Sequence, residues 1–260
     1  MNDAERNHAM VQLRPLVVKA LQKTRLNRVA HRVYYSYVHG FNTASPGLLP
    51  AMERCFELAG EWNTAVQGDY CEFGIFKGYS FWYAQQLARR RRFDRMRFFG
   101  FDSFAGLPEV DGVDRTRDGD FYRGQYACSK EQVIRNLDSK GVDWSRTFLV
   151  EGFFEQTLNE RTRRELGVER VSIALIDCDL YASTVCVLNF IRDLLTQRTI
   201  VLFDDWNCFD RDDNRGQRRA LREFLEENPG LTAEPLFEYG VYGKVFALGA
   251  TAPPQVVVKE

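Results

Sequence analysis

Short apolar runs alternate with longer amphipathic stretches along most of this chain from residue 69 onward. The runs lie near 70–75, 97–102, 147–151, 171–177 and 199–204, and they predict strands buried on both faces. Between and after them, stretches near 79–92, 129–139, 157–166, 181–196 and 215–228 predict helices. That alternation predicts a mainly parallel sheet covered on both sides. The last part breaks the pattern. Residues 234–239, a short Gly240-Val241-Tyr242-Gly243 connection and residues 244–248 predict an antiparallel hairpin. Ahead of the first strand, residues 9–39 predict helix with a basic face that includes Arg14, Lys19, Lys23 and Arg32. Asn42 to Pro50 is a turn-rich connector. Residues 48–62 predict a second helix, with Leu48, Leu49, Met52, Cys55, Phe56 and Leu58 near helical spacing. Residues 103–128 hold no clear element. A loop that long in a compact domain suits a lid, and Phe104, Leu107, Phe121, Tyr122 and Tyr126 give it surface to pack on a ligand.

Composition narrows the function classes. The chain has 260 residues, 45% of them hydrophobic, and a net charge of −1. This suits a globular protein with a real core and argues against nucleic acid or an anionic membrane as partner. The one basic run, Arg89 to Arg92, falls late in a predicted helix, where cations suit the macrodipole. No apolar run of about eighteen residues predicts a membrane span. Met1 to Met10 is polar, unlike a secretory signal, so a cytoplasmic location is expected. The six cysteines form no CxxC pair and are expected as free thiols. Histidines occur only at 8, 31 and 39, leaving little material for a histidine-centred triad or zinc site.

The chemistry gathers where apolar strands end in acid. Asp69-Tyr70-Cys71-Glu72-Phe73-Gly74-Ile75-Phe76-Lys77-Gly78-Tyr79-Ser80 runs from strand through two glycines into a helix. Gly74 and Gly78 allow close backbone approach, and a helix start near Ser80 favours an anionic group. Glu72 would oppose a phosphate and suits a cationic amino-acid part or hydroxyls. A tight structural turn is the plain alternative. Asp102, beside Ser103, ends the next strand, where an acid commonly accepts from ribose hydroxyls. An Asx turn before Phe104 is its plain alternative. Asp177, Asp204 and Asp205 end two further strands. Three such carboxylates would raise one another's pKa unless a hard divalent ion such as Mg²⁺ joins them. Capping of the following segment, without metal, is the alternative. Asp179 reads as a further ligand, a base or a helix cap. Ligands of open α/β sheets bind beyond the carboxyl ends of the strands, where all these acids fall.

The segments CEFGIFKGYS, GFDSFAGLPE, VEGFFEQTL, IDCDLYAST and VLFDDW, in that order, resemble the macrocin O-methyltransferase family of class I S-adenosylmethionine-dependent methyltransferases. The likeness covers roughly residues 69–225, ending in a helix that contains Arg218 to Phe224. It implies a Rossmann-like class I methyltransferase fold with a mainly parallel seven-stranded sheet. It implies an S-adenosylmethionine cleft with Glu72, Gly74, Gly78 and Ser80 on the methionine side and Asp102 with Ser103 at the ribose. Gly152 and Phe153 would lie near the adenine. Asp177, Asp204 and Asp205 match the family's Mg²⁺ ligands, and Asp177 also borders the cofactor. The implied reaction is O-methylation of a sugar or glycosylated metabolite by in-line displacement. Residues 66–260 would form the methyltransferase domain. Residues 1–65 would form a cap, an oligomer contact or part of the acceptor site, with self-association expected from their amphipathic helices.

The chain departs from the pattern in three places. Members often carry a lid-loop histidine as base, and none follows His39 here. Proton removal falls to Asp179, Asp120, Tyr122, Tyr126 or a metal-activated route. The lysine that catechol-type relatives place three positions after the first metal acid is Leu180 here. Gln197-Arg198-Thr199 replaces a glycine pair on the side away from the chemistry. A binding scaffold without catalysis and a nicotinamide-dependent oxidoreductase are the competing functions. The acidic set argues against the first and the EFGIFKG spacing against the second.

Overall fold

A computed structural model describes residues 40–64, 68–115 and 121–250. The expected helix over 9–39 lies outside them. The strands are β1 (Asp69–Phe73), β2 (Phe98–Asp102), β3 (Thr147–Glu151), β4 (Val171–Ile176), β5 (Leu195–Phe203), β6 (Leu231–Tyr239) and β7 (Gly243–Ala250). They form one sheet in the order β3-β2-β1-β4-β5-β7-β6. The first five pair in parallel, and β7 runs antiparallel to both β5 and β6. This bears out the mainly parallel sheet and its antiparallel end. From β1 the chain builds outward to β2 and β3; from β4 it builds the other way. The order therefore reverses between β1 and β4, and a crevice opens beyond their carboxyl ends.

The helices are α1 (Leu48–Glu61), α2 (Tyr79–Arg91), α3 (Lys130–Asp138), α4 (Phe154–Thr157), α5 (Glu160–Leu166), α6 (Tyr181–Ile191) and α7 (Gly216–Glu227). Side chains alternate across the sheet, so each strand feeds two cores. On one face Tyr70, Phe98, Ile173, Leu175, Ile200 and Leu202 pack with α1, α2 and α3. On the other, Cys71, Phe73, Phe99, Phe101, Ala174, Ile176 and Val201 pack with α6 and α7. Every residue of β1 and β4 is buried; β4 reads as a nearly continuous apolar run, whereas β1 also buries Asp69 and Glu72. Helix α1 buries Leu48, Met52, Cys55 and Phe56 in the same core as the sheet. All six cysteines are free. Among the described residues no helix is long and apolar enough to cross a membrane.

Three boundaries differ from the sequence pattern. The expected helix at 157–166 is two pieces, because Asn159 caps a new start by accepting from Thr162 N at 3.0 Å. The helix expected over 181–196 stops at Ile191, followed by a single 3-10 turn at Arg192–Leu194. Strand β5 then begins at Leu195, not 199, through a bulge opposite Val171–Ile173. Thr199 Oγ1 holds that bulge, accepting from Thr196 N at 2.8 Å and donating to Val171 O at 2.7 Å.

Candidate active site

The turn after β1 is shaped by what its glycines leave out. Gly74 has φ 93° and lies against β4's end, where a Cβ would overlap the carbonyl oxygen of Asp177. Gly74 N donates to Phe101 O, and Asp177 N donates to Phe73 O, both at 2.9 Å. The ends of β1, β2 and β4 are thus stitched together. Asp102 closes the turn: its Oδ2 accepts from Ile75 N at 2.7 Å and Phe76 N at 3.0 Å. Its Oδ1 accepts from Phe104 N at 2.7 Å. The Asx turn is therefore present, and Asp102 also faces the cavity. Burial pushes its pKa up while these N–H groups pull it down. Ser103 Oγ donates to Gly106 O at 2.7 Å and shapes the bend that follows.

Two residues of the first motif lie beneath the cleft. Glu72 is fully buried, accepting from Tyr70 Oη at 2.6 Å and Ser80 Oγ at 2.7 Å. Burial pushes its pKa up to about 8, against the pull of those two hydroxyls. Glu72 and Ser80 together tie β1 to α2. Gly78, at φ 89°, precedes α2, and a Cβ there would press on Leu137 and Val133 of α3. Gly152 N donates to Asp102 O at 3.0 Å, and its φ of 140° suits glycine.

Beyond β4 and β5, Asp177, Asp204 and Asp205 each offer an oxygen within 4.8 Å of the others. Asp204 Oδ1 accepts from Ser45 Oγ at 2.8 Å and Tyr239 Oη at 2.9 Å. Asp205 Oδ2 accepts from Asp179 N at 2.9 Å, and its Oδ1 takes the Cys208 thiol at 3.3 Å. The fully buried Gln217 fixes the backbone beneath: its Oε1 accepts from Asp205 N and its Nε2 donates to Ile176 O. Burial pushes Asp177 well above the usual carboxylate range, and the charges of Asp204 and Asp205 add to this. Burial, then Asp204, pushes Asp205 up to about 7. Three close, poorly solvated carboxylates are costly as anions without a counter-charge. An all-oxygen set of this kind fits a hard divalent cation such as Mg²⁺.

Asp179 does not cap the helix that follows. It adopts φ 59°, Leu180 occupies the cap position, and no side chain of the segment closes the helix start. The cap comes instead from Asp114, in a 3-10 turn of the long loop at Gly112–Asp114. Asp114 Oδ1 accepts from Tyr181 N at 2.7 Å and Oδ2 from Ala182 N at 3.1 Å. Arg215 clasps the same turn, donating to Val113 O at 3.3 Å and Arg115 O at 3.1 Å. The loop's base is closed by Leu107 N to Gln125 O and Gly124 N to Leu107 O, each 2.9 Å. The sequence reading missed Asp114. Its signal was indirect: a helix beginning at Tyr181 with leucine at the cap position needs an acceptor from elsewhere.

These groups surround one cavity of about 620 Å³. Gly74, Asp102, Ser103, Phe153, Asp177, Asp179, Asp204 and Asp205 line it, together with Phe121 and Tyr126 of the loop. Glu72, Gly78, Ser80 and Gly152 are not among the lining residues and support them from behind. Tyr122 is not in the lining either, and Asp120 lies outside the described residues. Two further walls complete the cavity: Thr43 to Pro46 ahead of α1, within the segment for which a part in the acceptor site was one expectation, and Val241 to Gly243 at the hairpin turn, which was not anticipated. Cys208 also lines the cavity, beside Asp205.

A seven-stranded sheet in the order β3-β2-β1-β4-β5-β7-β6, with β7 antiparallel and a crevice at its switch point, is the arrangement of class I methyltransferases. Residues 49–243 match the family model described as Macrocin-O-methyltransferase (TylF). The chain belongs to the macrocin-O-methyltransferase family. It is 30% identical over 145 residues to the 8-demethyl-8-(2,3-dimethoxy-alpha-L-rhamnosyl)-tetracenomycin-C 4'-O-methyltransferase of Streptomyces olivaceus. That match spans 54% of this chain and 54% of the relative, about half of each. It is 24% identical over 199 residues to the mycinamicin III 3''-O-methyltransferase of Micromonospora griseorubida, covering 74% and 73% of the two chains. Among solved structures, the O-methyltransferase NovP superposes with a TM-score of 0.65 at 22% identity, over 76% of this chain and 78% of that one. The calicheamicin methyltransferase CalS11 superposes with a TM-score of 0.63 at 22% identity, over 95% and 94%. Those two likenesses concern the fold.

Proposed function

We propose that this protein is an O-methyltransferase that moves a methyl group from S-adenosylmethionine to a hydroxyl of a sugar or glycosylated metabolite. The observation that carries this reading is the placement of Asp177, Asp204 and Asp205 on the floor of the cavity that Asp102 also enters. The family, the relative named for a rhamnosyl-bearing substrate and the relative named for mycinamicin III support a glycosylated or other natural-product acceptor.

In this reading the Gly74–Phe76 turn and Asp102 would receive the cofactor, with the one open lone pair of Asp102 Oδ1 accepting from a ribose hydroxyl and Phe153 bordering the adenine. When bound, S-adenosylmethionine would supply the electrophilic methyl, and Asp177, Asp204 and Asp205 would hold a divalent cation that could lower the pKa of an acceptor hydroxyl. The chain's own contribution is to place two substrates in line and keep water out, which supplies much of the rate. The loop pinned by Asp114 and Arg215 encloses the site. Asp179 is the side chain suited to take the acceptor's proton. It lines the cavity and caps no helix, and burial with the charges of Asp205 and Asp204 raises its pKa well above the ordinary range.

Calorimetric binding of S-adenosylhomocysteine, with Mg²⁺ and with chelator, tests the cofactor cleft. Methyl transfer to a panel of rhamnosides and deoxysugar glycosides tests the reaction. Micromolar binding with transfer that chelator abolishes is the expected result. Binding without transfer to any glycoside moves weight to a non-catalytic scaffold, and no binding ends the methyltransferase reading.

A further inference from the structure

Asp204 differs from its two neighbours in how it is held. Both hydroxyls that reach it donate to the same oxygen, Oδ1: Ser45 at 2.8 Å and Tyr239 at 2.9 Å. Two donors fill the lone pairs of that oxygen. No donor reaches Oδ2 among the described residues. Asp204 and Tyr239 are both buried, at 7% and 8% exposure, so water competes little for either.

The two hydroxyls arrive from distant parts of the chain. Ser45 precedes α1 and Tyr239 is the last residue of β6. Their segments are fastened to each other backbone against backbone. Gly47 has φ 87°, and a Cβ there would lie 2.7 Å from Gly240 N. A Cβ on Gly240, at φ 56°, would overlap Pro46 O. Only glycine permits that approach at both positions. The same two segments form walls of the cavity, at Thr43 to Pro46 and Val241 to Gly243. Asn207 N, just past the acids, donates to Tyr242 O at 3.0 Å and completes the link.

We infer that Ser45 and Tyr239 are positioning residues for the cation: their shared grip on Asp204 Oδ1 turns Oδ2 toward the metal. This rests on the metal reading proposed above. Ser45 lines the cavity and Tyr239 does not, and in this inference each acts through Asp204. The outer partners of metal ligands set ligand orientation, and losing one commonly lowers metal affinity about ten- to a hundredfold. Because the grip comes from the two wall segments, the metal site and those walls are held in one relative position.

The test is Mn²⁺ binding to the full chain, followed by electron paramagnetic resonance, with S-adenosylhomocysteine affinity and melting temperature measured in parallel. Tyr239→Phe keeps the ring and removes the hydroxyl. Ser45→Thr keeps a hydroxyl, and Ser45→Val has the same shape without one. The expected result is Mn²⁺ affinity lowered about tenfold or more in Tyr239→Phe and Ser45→Val. Ser45→Thr stays near wild type, and cofactor affinity stays unchanged throughout. Equal Mn²⁺ affinity in Ser45→Thr and Ser45→Val, or unchanged affinity in Tyr239→Phe, overturns the inference while leaving the metal reading intact. A wild-type protein that binds no Mn²⁺ overturns both.

Discussion

Gly74 lies so close to Asp177 that any side chain at position 74 would occupy the space of the Asp177 carbonyl oxygen. One residue turns the chain away from β1, and the other is the first acid beyond the end of β4. The glycine lets two functional strand ends share a boundary. Gly74→Ala adds a steric overlap and a strained positive φ of 93°. It is predicted to destabilise the fold by about 2 kcal/mol or more, together with loss of cofactor binding. Chemical denaturation of the variant checks this; a wild-type midpoint would contradict it.

Asp114 fastens the loop to the start of α6. Asp114→Ala removes a cap from outside the helix and is predicted to cost about 1 kcal/mol of stability. Its more specific effect is on the loop, whose residues 107–125 should become more susceptible to a limited dose of protease. Mass spectrometry of the fragments reads this out. Cleavage at the wild-type rate would show that Arg215 and the loop base suffice without the cap.

Asp102→Asn replaces an acceptor with an amide group near the N–H groups of Ile75 and Phe76. It is predicted to weaken S-adenosylhomocysteine binding at least tenfold, equivalent to about 1.4 kcal/mol, by calorimetry. Mn²⁺ affinity should change little, because Asp102 is not part of the three-carboxylate cluster. Loss of both affinities together would mean that the turn had collapsed.

Asp179→Asn separates a proton acceptor from a structural group. Its backbone N–H donates to Asp205, and that contact survives the substitution. A rate loss of about a hundredfold or more with an unchanged melting temperature is predicted. Full activity would transfer the role to Tyr126 or to a metal-activated route.

Glu72 predicts a pH dependence of stability opposite to that of a salt-bridged carboxylate. Burial raises its folded pKa to about 8, from an ordinary value of 4.5. Between those values the folded protein keeps a proton that the unfolded chain releases. Its contribution is therefore fully present below the unfolded value and is lost as pH rises through the folded one. Glu72→Gln should melt progressively higher relative to wild type as pH goes from about 5 to about 9. Thermal scans across that range decide it, and a constant difference would count against the buried proton.

The parallel core was legible because strands buried on both faces leave continuous apolar runs, as in Val171–Ile176. The gathering of Asp102, Asp177, Asp204 and Asp205 at one cavity was legible because each lies at or just beyond the carboxyl end of a strand, the edge on which such crevices open. Glu72 shared that signal but points into the α1–α3 core, because side chains alternate along β1 and Tyr70 lies on the same face. The start of β5 was hidden because Leu195 to Thr199 follows an apolar helix without a glycine or proline break. Ser45, Tyr239 and Asp114 carry no local pattern. Ser45 lies 159 positions from Asp204, and Asp114 lies 67 from Tyr181. Single hydrogen bonds over such distances have no spacing to read.

Because β7 runs against β5 and β6, β6 points the same way as the parallel strands and delivers the turn at 240–242 to the carboxylate edge. Val241 and Tyr242 stand 65% and 50% exposed at the rim of the cavity. The acidic floor and this exposed rim belong to different pieces of chain. Grafting a different turn onto positions 241–242 should therefore change which acceptors are taken while cofactor affinity holds.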